Sequence, residues 1–357
     1  MKILFLGDVV GRSGRKAVAR HLPGLIARHG FDFVIVNGEN AAGGFGITPK
    51  IFAQILQCGV DVVTSGNHLW DRKEVSAVLA GETRLLRPAN YPPQVEGAGW
   101  TLYPASDGTV VGVVNLMGRV FMRDLDCPFR TVDKIIEEIR PDTSVILVDM
   151  HAEATSEKQA MGHWLDGRVS AVVGTHTHVP TRDERILPKG TAYITDIGMT
   201  GPHDSVIGVR TEDAVRRFLT QTPVKFRVAS DDVRLQGVVI ENRPAEKVIK
   251  CFDGEDTLFY IDPPYVKSSR RRKDHGYAHE MSDADHEQLA AQLHGVQGMV
   301  ILSAYPSELY NRLFDDWRKY ERKSTSQNGD PGKEVLWISP NVPEQQFQLF
   351  GDHHDRT

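Results

Sequence analysis

Short apolar runs followed by polar residues recur along the chain from residue 1 to about residue 200. Each run is rich in Val, Ile and Leu, and each is followed by a glycine or another small residue and then by polar groups. This pattern predicts buried strands that carry functional loops at their carboxyl ends. The predicted strands are residues 2–6, 33–36, 60–63, 110–114, 145–148 and 169–173.

Helical patterns lie between the first strands. Residues 14–29 and 49–58 space their apolar side chains three and four apart, as an amphipathic helix does. Strands that alternate with helices predict a layered α/β fold with connections over both faces of a sheet. Later apolar runs lie closer together and predict a second, more antiparallel sheet, so we expect two sheets packed between helices. These later runs are residues 191–194, 206–209, 224–228 and 236–240.

The chain length and a change of composition predict two parts. A chain of 357 residues is long enough for about two domains. The composition changes between residues 229 and 248, and we place the boundary between residues 233 and 234. Residues 1–233 form the first expected domain and residues 234–357 the second segment. The strand at residues 234–241 could end the first part or begin the second, and the sequence leaves this open.

Composition and charge narrow the classes of function. Apolar residues make up 40% and charged residues 25%, as in ordinary globular proteins. Cys58, Cys127 and Cys251 are too few and too scattered for a disulfide framework or a cysteine-type zinc site. No apolar run approaches 18 residues, so nothing supports membrane insertion or secretion, and we expect a cytoplasmic protein. The net charge of −5 offers no general attraction to nucleic acid, so a DNA role must depend on a local patch.

Oxygen and nitrogen ligands follow the predicted strands. Carboxylate, amide and imidazole groups that converge from separate strands suit a metal that activates water. In the pair His176 and His178, the two side chains diverge, so each can serve a different ion of a two-metal centre. Taken alone, each residue fits a turn, core or surface position better than a metal site, but independent turns would not all supply metal ligands after buried strands. The candidates are Asp8, Glu39, Asn40, Asn67, His151, His176 and His178, with His68 beside Asn67.

Five motifs resemble a known family. They are GDVVGRSGR (7–15), NGENAAGGFGIT (37–48), TSGNHLWD (64–71), DMHAEATSEK (149–158) and GTHTHVPT (174–181). Together they resemble the calcineurin-like metallophosphoesterases, and more narrowly the YmdB-like bacterial branch, over about residues 1–235. The first motif of the broad superfamily is usually Asp-x-His, and here Val10 stands in place of that histidine, a loss that the branch shares. The resemblance implies a sandwich of two sheets flanked by helices.

The resemblance also implies roles for these residues. One ion would be held by Asp8, Glu39 and His178, and the other by Glu39 together with Asn67, His151 and His176. Asn40 would be a further ligand or a phosphate contact, and His68 would protonate the leaving oxygen or stabilise developing charge. The implied reaction is attack by a metal-bound hydroxide on a cyclic nucleotide or related small phosphodiester. The implied cofactors are two divalent or mixed-valence ions of iron, manganese or magnesium. The loop Gly43-Gly44-Phe45-Gly46 lies near the substrate or is an ordinary glycine turn.

A second motif stands in the last third. The run DTLFYIDPPY (256–265) is an apolar strand that ends in Asp262, Pro263, Pro264 and Tyr265. Such an aspartate and a proline-held carbonyl can accept the hydrogens of an exocyclic base amine, while the tyrosine stacks on a flipped base. With residues 234–249, 298–317 and 333–340, the motif resembles the C-terminal part of Dam-type DNA adenine methyltransferases. A plain strand followed by a proline turn is the alternative.

The methyltransferase resemblance is partial. Enzymes of that type carry a glycine-rich loop for S-adenosylmethionine and a target-recognition segment upstream, and here phosphoesterase motifs occupy those positions. We therefore expect a partial α/β methyltransferase-like segment that does not bind S-adenosylmethionine by itself.

Two further functions stay open beside the phosphodiesterase. A DNA adenine methyltransferase or DNA-binding module would bind DNA through Arg270, Arg271, Arg272 and Lys273, although the acidic net charge counts against it. A regulatory scaffold would use its metals only to organise a binding surface. A homo-oligomer is compatible with the sequence.

Overall fold

The computed structural model describes residues 1–270, 280–325 and 331–343. The chain forms two compact units, Met1–Asn242 and the residues from Arg243 onward. The boundary therefore lies beyond the expected position between residues 233 and 234, because the intervening strand belongs to the first unit.

The first unit alternates strands and helices in its first half. Its helices are α1 (Gly11–His29), α2 (Pro49–Leu56), α3 (Ser76–Leu79), α4 (Pro128–Ile139), α5 (Thr155–Leu165) and α6 (Thr211–Thr220). Its strands are β1 (Lys2–Leu6), β2 (Asp8–Val9), β3 (Phe33–Asn37), β4 (Val62–Thr64), β5 (Trp100–Pro104), β6 (Val110–Met117), β7 (Val145–His151), β8 (Ala171–Thr175), β9 (Arg185–Ile186), β10 (Ala192–Ile194), β11 (Met199–Pro202), β12 (Val233–Arg234) and β13 (Gly237–Glu241).

The strands of the first unit form three sheets. A four-stranded sheet has the order β13-β1-β3-β4, in which β1, β3 and β4 are parallel. A six-stranded sheet has the order β5-β6-β7-β8-β10-β9, in which β6, β7, β8 and β10 are parallel. A small sheet with the order β12-β11-β2 completes the unit. In each large sheet, the carboxyl ends of the parallel strands share one edge.

Apolar residues on alternate faces of the strands build the layers. Ile3 and Phe5 of β1 lie in a core shared with Leu147 of β7, so this core separates the two large sheets. Leu4 of β1 faces the opposite way and packs with residues of α1 and α2. Val148 of β7 likewise packs with residues of α4 and α5. The expected sandwich of two sheets flanked by helices is confirmed.

The predicted second, antiparallel sheet of later strands is wrong. Strand β10 instead pairs parallel to β8, and β13 pairs antiparallel to β1, so each joins one of the large sheets. Residues 206–209 and 224–228 make only isolated bridges, Val206 with Val209 and Val209 with Val228. Short apolar runs do not specify a strand partner, and the side chains of these two runs are partly buried or exposed, with Ile207 and Phe226 among the exposed apolar residues. The early predictions were more accurate, because each of the six early runs overlaps a strand.

The second unit has a sheet and a core of its own. Its strands are β14 (Leu258–Ile261), β15 (Met299–Ala304), β16 (Arg318–Thr325) and β17 (Pro331–Ile338), in the order β14-β15-β17-β16. Its helices are α7 (Ala245–Phe252), α8 (Asp283–His294) and α9 (Glu308–Leu313). Buried aromatic residues, including Tyr310, Phe314 and Trp337, form the centre of its core. Within the described ranges of the chain, no helix combines the length and the apolar character needed to cross a membrane.

Candidate metal centre

The predicted ligands come together where parallel strands of the two large sheets end and where β2 of the small sheet begins. Strand β2 carries Asp8, and the turn after β3 carries Glu39 and Asn40. Asn67 follows β4, His151 ends β7, and His176 and His178 follow β8. Parallel strands deliver the loops at their carboxyl ends to one edge, so residues far apart in sequence meet here.

One group of ligand atoms surrounds the imidazole of His151. Its Nε2 atom lies 3.1 Å from Glu39 Oε1, 3.1 Å from Asn67 Oδ1 and 3.1 Å from His176 Nδ1. One ligand atom each of Glu39, His151 and His176 lies within 4.8 Å of the others. Convergent oxygen and nitrogen atoms at these separations can hold one ion between them.

A second group surrounds the carboxylate of Asp8. His178 Nε2 lies 3.6 Å from Asp8 Oδ1, and Asn40 Nδ2 lies 3.1 Å from the same imidazole nitrogen. The amide of Asn40 also donates to Glu39 Oε1 at 3.1 Å. Glu39 therefore links the two groups, one around Asp8 and the other around His151.

The charges of the site fit a divalent ion. Asp8, Glu39 and His151 are completely buried. Across the residues that the structure describes, neither carboxylate pairs with a lysine or an arginine, and their ion-pair partners are histidines. Buried carboxylates without full compensation are costly, and a bound cation would remove that cost. The residues present thus fit a metal site.

Gly66 leaves room for the candidate ligands. A Cβ atom at this position would lie 2.1 Å from His151 Nε2 and 2.4 Å from Glu39 Oε2. No real side chain tolerates such distances. The glycine before Asn67 therefore allows the His151 and Glu39 ligand atoms to meet.

The loop that carries His176 and His178 is strained and anchored. Both residues adopt left-handed backbone, with φ of 99° and 64°, a conformation that costs about 1 kcal/mol or more per residue. Between them, the backbone N–H and the hydroxyl of Thr177 both donate to Asp196 Oδ2. Asp196 in turn forms a buried ion pair of 2.7 Å with Lys158, the last residue of the DMHAEATSEK motif. This pair holds the loop in its strained form.

Hydrogen bonds fix which histidine nitrogen faces the centre. Thr175 donates its one hydroxyl proton to Asp149 Oδ1, so His151 Nδ1 donates to Thr175 Oγ1 at 2.9 Å. His178 Nδ1 likewise donates to the carbonyl oxygen of Ile207 at 2.8 Å. In both residues Nε2 is the nitrogen that is directed at the centre. Partners behind a ligand that set its tautomer are typical of metal sites.

Asp149 also connects the two large sheets beneath the centre. Its carboxylate accepts hydrogen bonds from Asn37 of β3 and Thr64 of β4 in one sheet, and from Thr175 of β8 in the other. Burial raises the pKa of Asp149 to about 6, although the charge of His151 and these hydrogen bonds lower it.

Burial and neighbouring charges shift the pKa values of the ligands in opposite directions. Burial opposes the ionisation of Asp8, but its hydrogen bond to His178 and the charges of His178 and His151 hold its pKa well below the usual range. Burial also opposes charge on His151, yet Glu39 outweighs it and raises the pKa of His151 to about 9. Burial and the charge of His151 lower the pKa of His176 to about 3. The adjacent imidazoles therefore do not both carry charge.

His68 stands at the rim of the centre. Its backbone N–H donates to Glu39 Oε2 at 3.1 Å, and its Nδ1 donates to Asp71 Oδ2 at 2.9 Å. The ring of Phe45 meets the imidazole edge-on, with 4.9 Å between centroids. Both rings line a pocket of about 600 Å³ that also includes Glu39, His176 and His178. The loop 43–46 thus contributes to the pocket wall through Gly44 and Phe45.

Several residues that hold the candidate site residues in place were not predicted from the sequence. Asp71 stands three residues after His68 inside the TSGNHLWD motif, so the spacing could have revealed it. Lys158 is the last residue of the DMHAEATSEK motif, so its position could also have indicated a role. Asp196 lies in none of the five motifs, and only the fold brings it to Thr177 and Lys158.

The Asp-Pro-Pro-Tyr motif of the second unit follows β14 as expected. Asp262 accepts a hydrogen bond of 2.9 Å from the Ser303 hydroxyl, and Pro263 is buried. Tyr265 donates to Glu334 Oε1 at 2.9 Å, and its ring meets Tyr305 edge-on. Pro264, between Pro263 and Tyr265 in the chain, is half-buried.

Only one residue of the proposed DNA-binding run can be placed. Arg270 forms an ion pair with Glu280. Arg271, Arg272 and Lys273 lie outside the described residues.

Two protein families match the chain. Residues 4–251 match the YmdB-like protein family. Residues 218–327 match the D12 class N6 adenine-specific DNA methyltransferases. The two matches overlap over residues 218–251, which include β13.

Curated relatives match the first part of the chain. A 2',3'-cyclic-nucleotide 2'-phosphodiesterase of Bacillus subtilis (strain 168) is 48% identical over 264 residues, which cover 73% of this chain and 100% of that protein. A putative phosphatase/phosphodiesterase of Mycoplasma genitalium is 36% identical over 250 residues, covering 68% of this chain and 87% of that protein.

Two solved structures are also similar to this chain. A hypothetical protein from Thermus thermophilus is 46% identical with a TM-score of 0.62, covering 67% of this chain and 98% of that chain. The crystal structure of a novel phosphatase from Mycoplasma pneumoniae is 37% identical with a TM-score of 0.63, covering 67% of this chain and 86% of that chain.

Proposed function

This chain belongs to the YmdB-like protein family, and from that membership we propose that it hydrolyses 2',3'-cyclic nucleotides or related small phosphodiesters with two divalent ions. Family membership confirms the resemblance that the five motifs carry. The similarity to these relatives and to the phosphatase structure shows that the chain is an enzyme of the phosphodiesterase or phosphatase type. The proposal adds the substrate and the number of ions.

The observation that carries the proposal is the pair of ligand groups joined by Glu39. Asp8, Asn40 and His178 lie on one side of this carboxylate, and His151 and His176 lie on the other. Asn67 completes the second group through its contact with His151. When bound, divalent ions would supply Lewis-acid activation of water and neutralise phosphate charge.

The donor set narrows the choice of metal. All candidate ligand atoms are carboxylate oxygen, amide oxygen or imidazole nitrogen, and no thiolate is among the proposed ligands. Iron, manganese and magnesium accept such ligands, whereas Cu(I) favours thiolate and thioether ligands. We propose that both resident ions come from these three metals, as two ions of one metal or one ion each of two.

His68 is the proposed general acid. Its Nδ1 is committed to Asp71, so Nε2 is the ring nitrogen that can give a proton to the leaving ribose oxygen. The contact with Asp71 orients the ring. Asp71 acts through His68 and is therefore a positioning residue.

The pocket suits a nucleoside. A volume of about 600 Å³ lies within the range of small-molecule sites. Phe45, Ile207 and Phe226 form an apolar wall of the same pocket that the candidate metal ligands line. A base packed on this wall would leave its ribose and cyclic phosphate at the metal centre.

Metal analysis and turnover test the proposal. The purified full chain is analysed for bound metal and then assayed on a panel of 2',3'- and 3',5'-cyclic nucleotides. We expect Asn67→Ala and His151→Ala to lose roughly 100-fold or more of kcat/KM. The matched control His163→Ala removes an exposed histidine of α5 and should retain the activity. Full activity in Asn67→Ala and His151→Ala would reject the proposed site.

A regulatory scaffold is distinguished by the same assay. If the ions only organise a binding surface, the chain would bind metal but turn over no substrate on the panel.

For the second unit, we propose a methyltransferase-like segment that does not bind S-adenosylmethionine by itself. The phosphoesterase motifs occupy the part of the chain in which the glycine-rich donor loop would stand. Calorimetric titration of the full chain with S-adenosylmethionine should give no saturable heat, and saturable binding would contradict this. The predicted cytoplasmic location, DNA binding and homo-oligomer remain untested predictions.

A further inference from the structure

One face of α1 carries an unpaired stripe of positive charge. Arg12, Lys16 and Arg20 recur every four residues, so they share one face of the helix, and all three are exposed. The helix Gly11–His29 contains no Asp or Glu. In the part of the chain that the structure describes, none of these three side chains has an ion-pair or hydrogen-bond partner. This concentration of cations is unexpected in a chain of net charge −5.

The stripe lines a groove beside the active-site pocket. Arg12, Lys16 and Arg20 line a cavity of about 760 Å³ together with Phe226 and Val228. We call these five residues the basic groove. Phe226 and Val228 also line the pocket that contains the metal ligands. The groove therefore begins at the wall where the active-site pocket ends.

Close packing fixes the shared wall. A Cβ atom on Gly11 would lie 2.9 Å from Val228 Cγ1, and one on Gly44 would lie 2.8 Å from Val228 Cγ2. Both glycines have positive φ, which side-chain-bearing residues rarely adopt. Val228 thus packs tightly between the start of α1 and the loop that carries Phe45. The two cavities are held side by side by this contact.

The chemistry of the proposed substrate suggests what fills the groove. A 2',3'-cyclic phosphate forms when the 2'-hydroxyl of RNA attacks the adjacent phosphodiester and expels the next 5'-oxygen. Such a cleavage leaves the cyclic phosphate at the 3' end of an RNA strand. Hydrolysis adds one water across a P–O bond of the ring and gives a ribose hydroxyl and a phosphomonoester. A free cyclic mononucleotide has no further phosphate for Arg12, Lys16 and Arg20 to contact.

We propose that the basic groove binds the phosphodiester backbone of an RNA strand whose 2',3'-cyclic phosphate end occupies the metal centre. The inference rests on the proposed function and specifies its substrate class. Successive cations of the stripe are separated by about 6 Å along the helix axis, since each residue rises about 1.5 Å. They can therefore contact separate phosphates. Phe226, on the shared wall, offers a ring on which a base can stack.

The test compares two double variants of the full chain. Lys16→Ala/Arg20→Ala removes two cations of the basic groove. Arg130→Ala/Lys134→Ala removes two exposed cations with the same spacing from α4, and it changes the net charge equally. The substrates are an RNA octamer ending in a 2',3'-cyclic phosphate and 2',3'-cyclic AMP, each assayed across a series of salt concentrations.

We expect the groove variant alone to lose preference for the octamer. The ratio of kcat/KM for the octamer to that for 2',3'-cyclic AMP should fall roughly tenfold or more, because two phosphate contacts are removed. The slope of log kcat/KM against log salt for the octamer should become shallower by about 1.4, or about 0.7 per lost contact. An equal ratio in both double variants would overturn the inference.

A binding measurement separates this inference from the proposed function. If the chain hydrolyses neither substrate, the proposed function fails, and fluorescence anisotropy with a labelled RNA octamer ending in a 3'-phosphate decides about the groove. A Kd that is weakened roughly tenfold only in Lys16→Ala/Arg20→Ala supports the groove. Equal Kd values in both variants would overturn it, as would tighter binding of a DNA duplex than of the RNA octamer.

Discussion

Replacing Gly66 with alanine tests the geometry of the metal centre with one methyl group. The added Cβ would lie 2.1 Å from His151 Nε2 and 2.4 Å from Glu39 Oε2. Gly66 does not have positive φ, so alanine meets no backbone strain there, and the effect is purely steric. The variant therefore perturbs the ligands without removing any of them.

The size of the effect follows from the distances. To reach an ordinary contact of 3.4 Å from 2.1 Å, His151 Nε2 must retreat by about 1.3 Å. Metal–ligand distances tolerate only about 0.2 Å. A misplacement of about 1 Å at a catalytic group can cost roughly 100-fold in rate. Overpacking of this kind costs about 1–3 kcal/mol of stability, so we expect a folded protein with weak metal binding.

Three measurements and one control decide the outcome. Circular dichroism shows whether Gly66→Ala is folded, elemental analysis gives its metal content, and turnover of a cyclic nucleotide gives kcat/KM. The control Gly81→Ala adds the same methyl group where nothing lies within 4 Å. If Gly66→Ala retains the metal content and the turnover of the parent protein, the ligand arrangement described for His151 and Glu39 is refuted.

Four further predictions concern the surroundings of the centre. Lys158→Met should lower the free energy of unfolding in urea by about 3–5 kcal/mol, because Asp196 remains buried without its partner; an unchanged midpoint would argue against the ion pair. Asp71→Asn should lower kcat roughly tenfold or more at nearly constant KM and alter the pH profile, since His68 loses the carboxylate that orients it; a change in KM alone would contradict this. Chelation with EDTA should abolish turnover, and readdition of manganese should restore it, whereas activity that survives complete metal removal would exclude a metal mechanism. A chain that ends at Asn242 should stay folded and active, because the first unit contains its own core and all proposed ligands; loss of its circular dichroism signal would show dependence on the second unit.

The early strands were predictable because of how parallel sheets are buried. Strands such as β3 and β7 are covered on both faces, so they read as continuous apolar runs with polar residues at their ends. The later runs carry the same apolar signal in another setting. In residues 224–228, Phe226 and Val228 line the pocket and the basic groove instead of joining a large sheet. Apolar character alone does not distinguish a sheet strand from a cavity wall, because it does not specify hydrogen-bond partners.

The candidate site was predictable as far as its chemistry is local in sequence. Asp8, Glu39 and His151 stand out because a charged or imidazole group directly follows or ends a buried strand. The residues that hold these side chains in place are distant from them in the sequence. Lys158 and Asp196 are 38 positions apart, and Asn37 and Asp149 are 112 positions apart, so only the folded sheets bring them together.

The carboxylate of Asp149 has a consequence for how this protein loses activity. Because it accepts hydrogen bonds from both large sheets directly behind His151, the ligands cannot drift apart unless the sheets separate. Separation of the sheets exposes the core between them, which amounts to opening the whole first unit. Amide hydrogens around the centre should then exchange only through global unfolding. On heating, the enzyme should keep its full hydrolytic activity until the first unit unfolds.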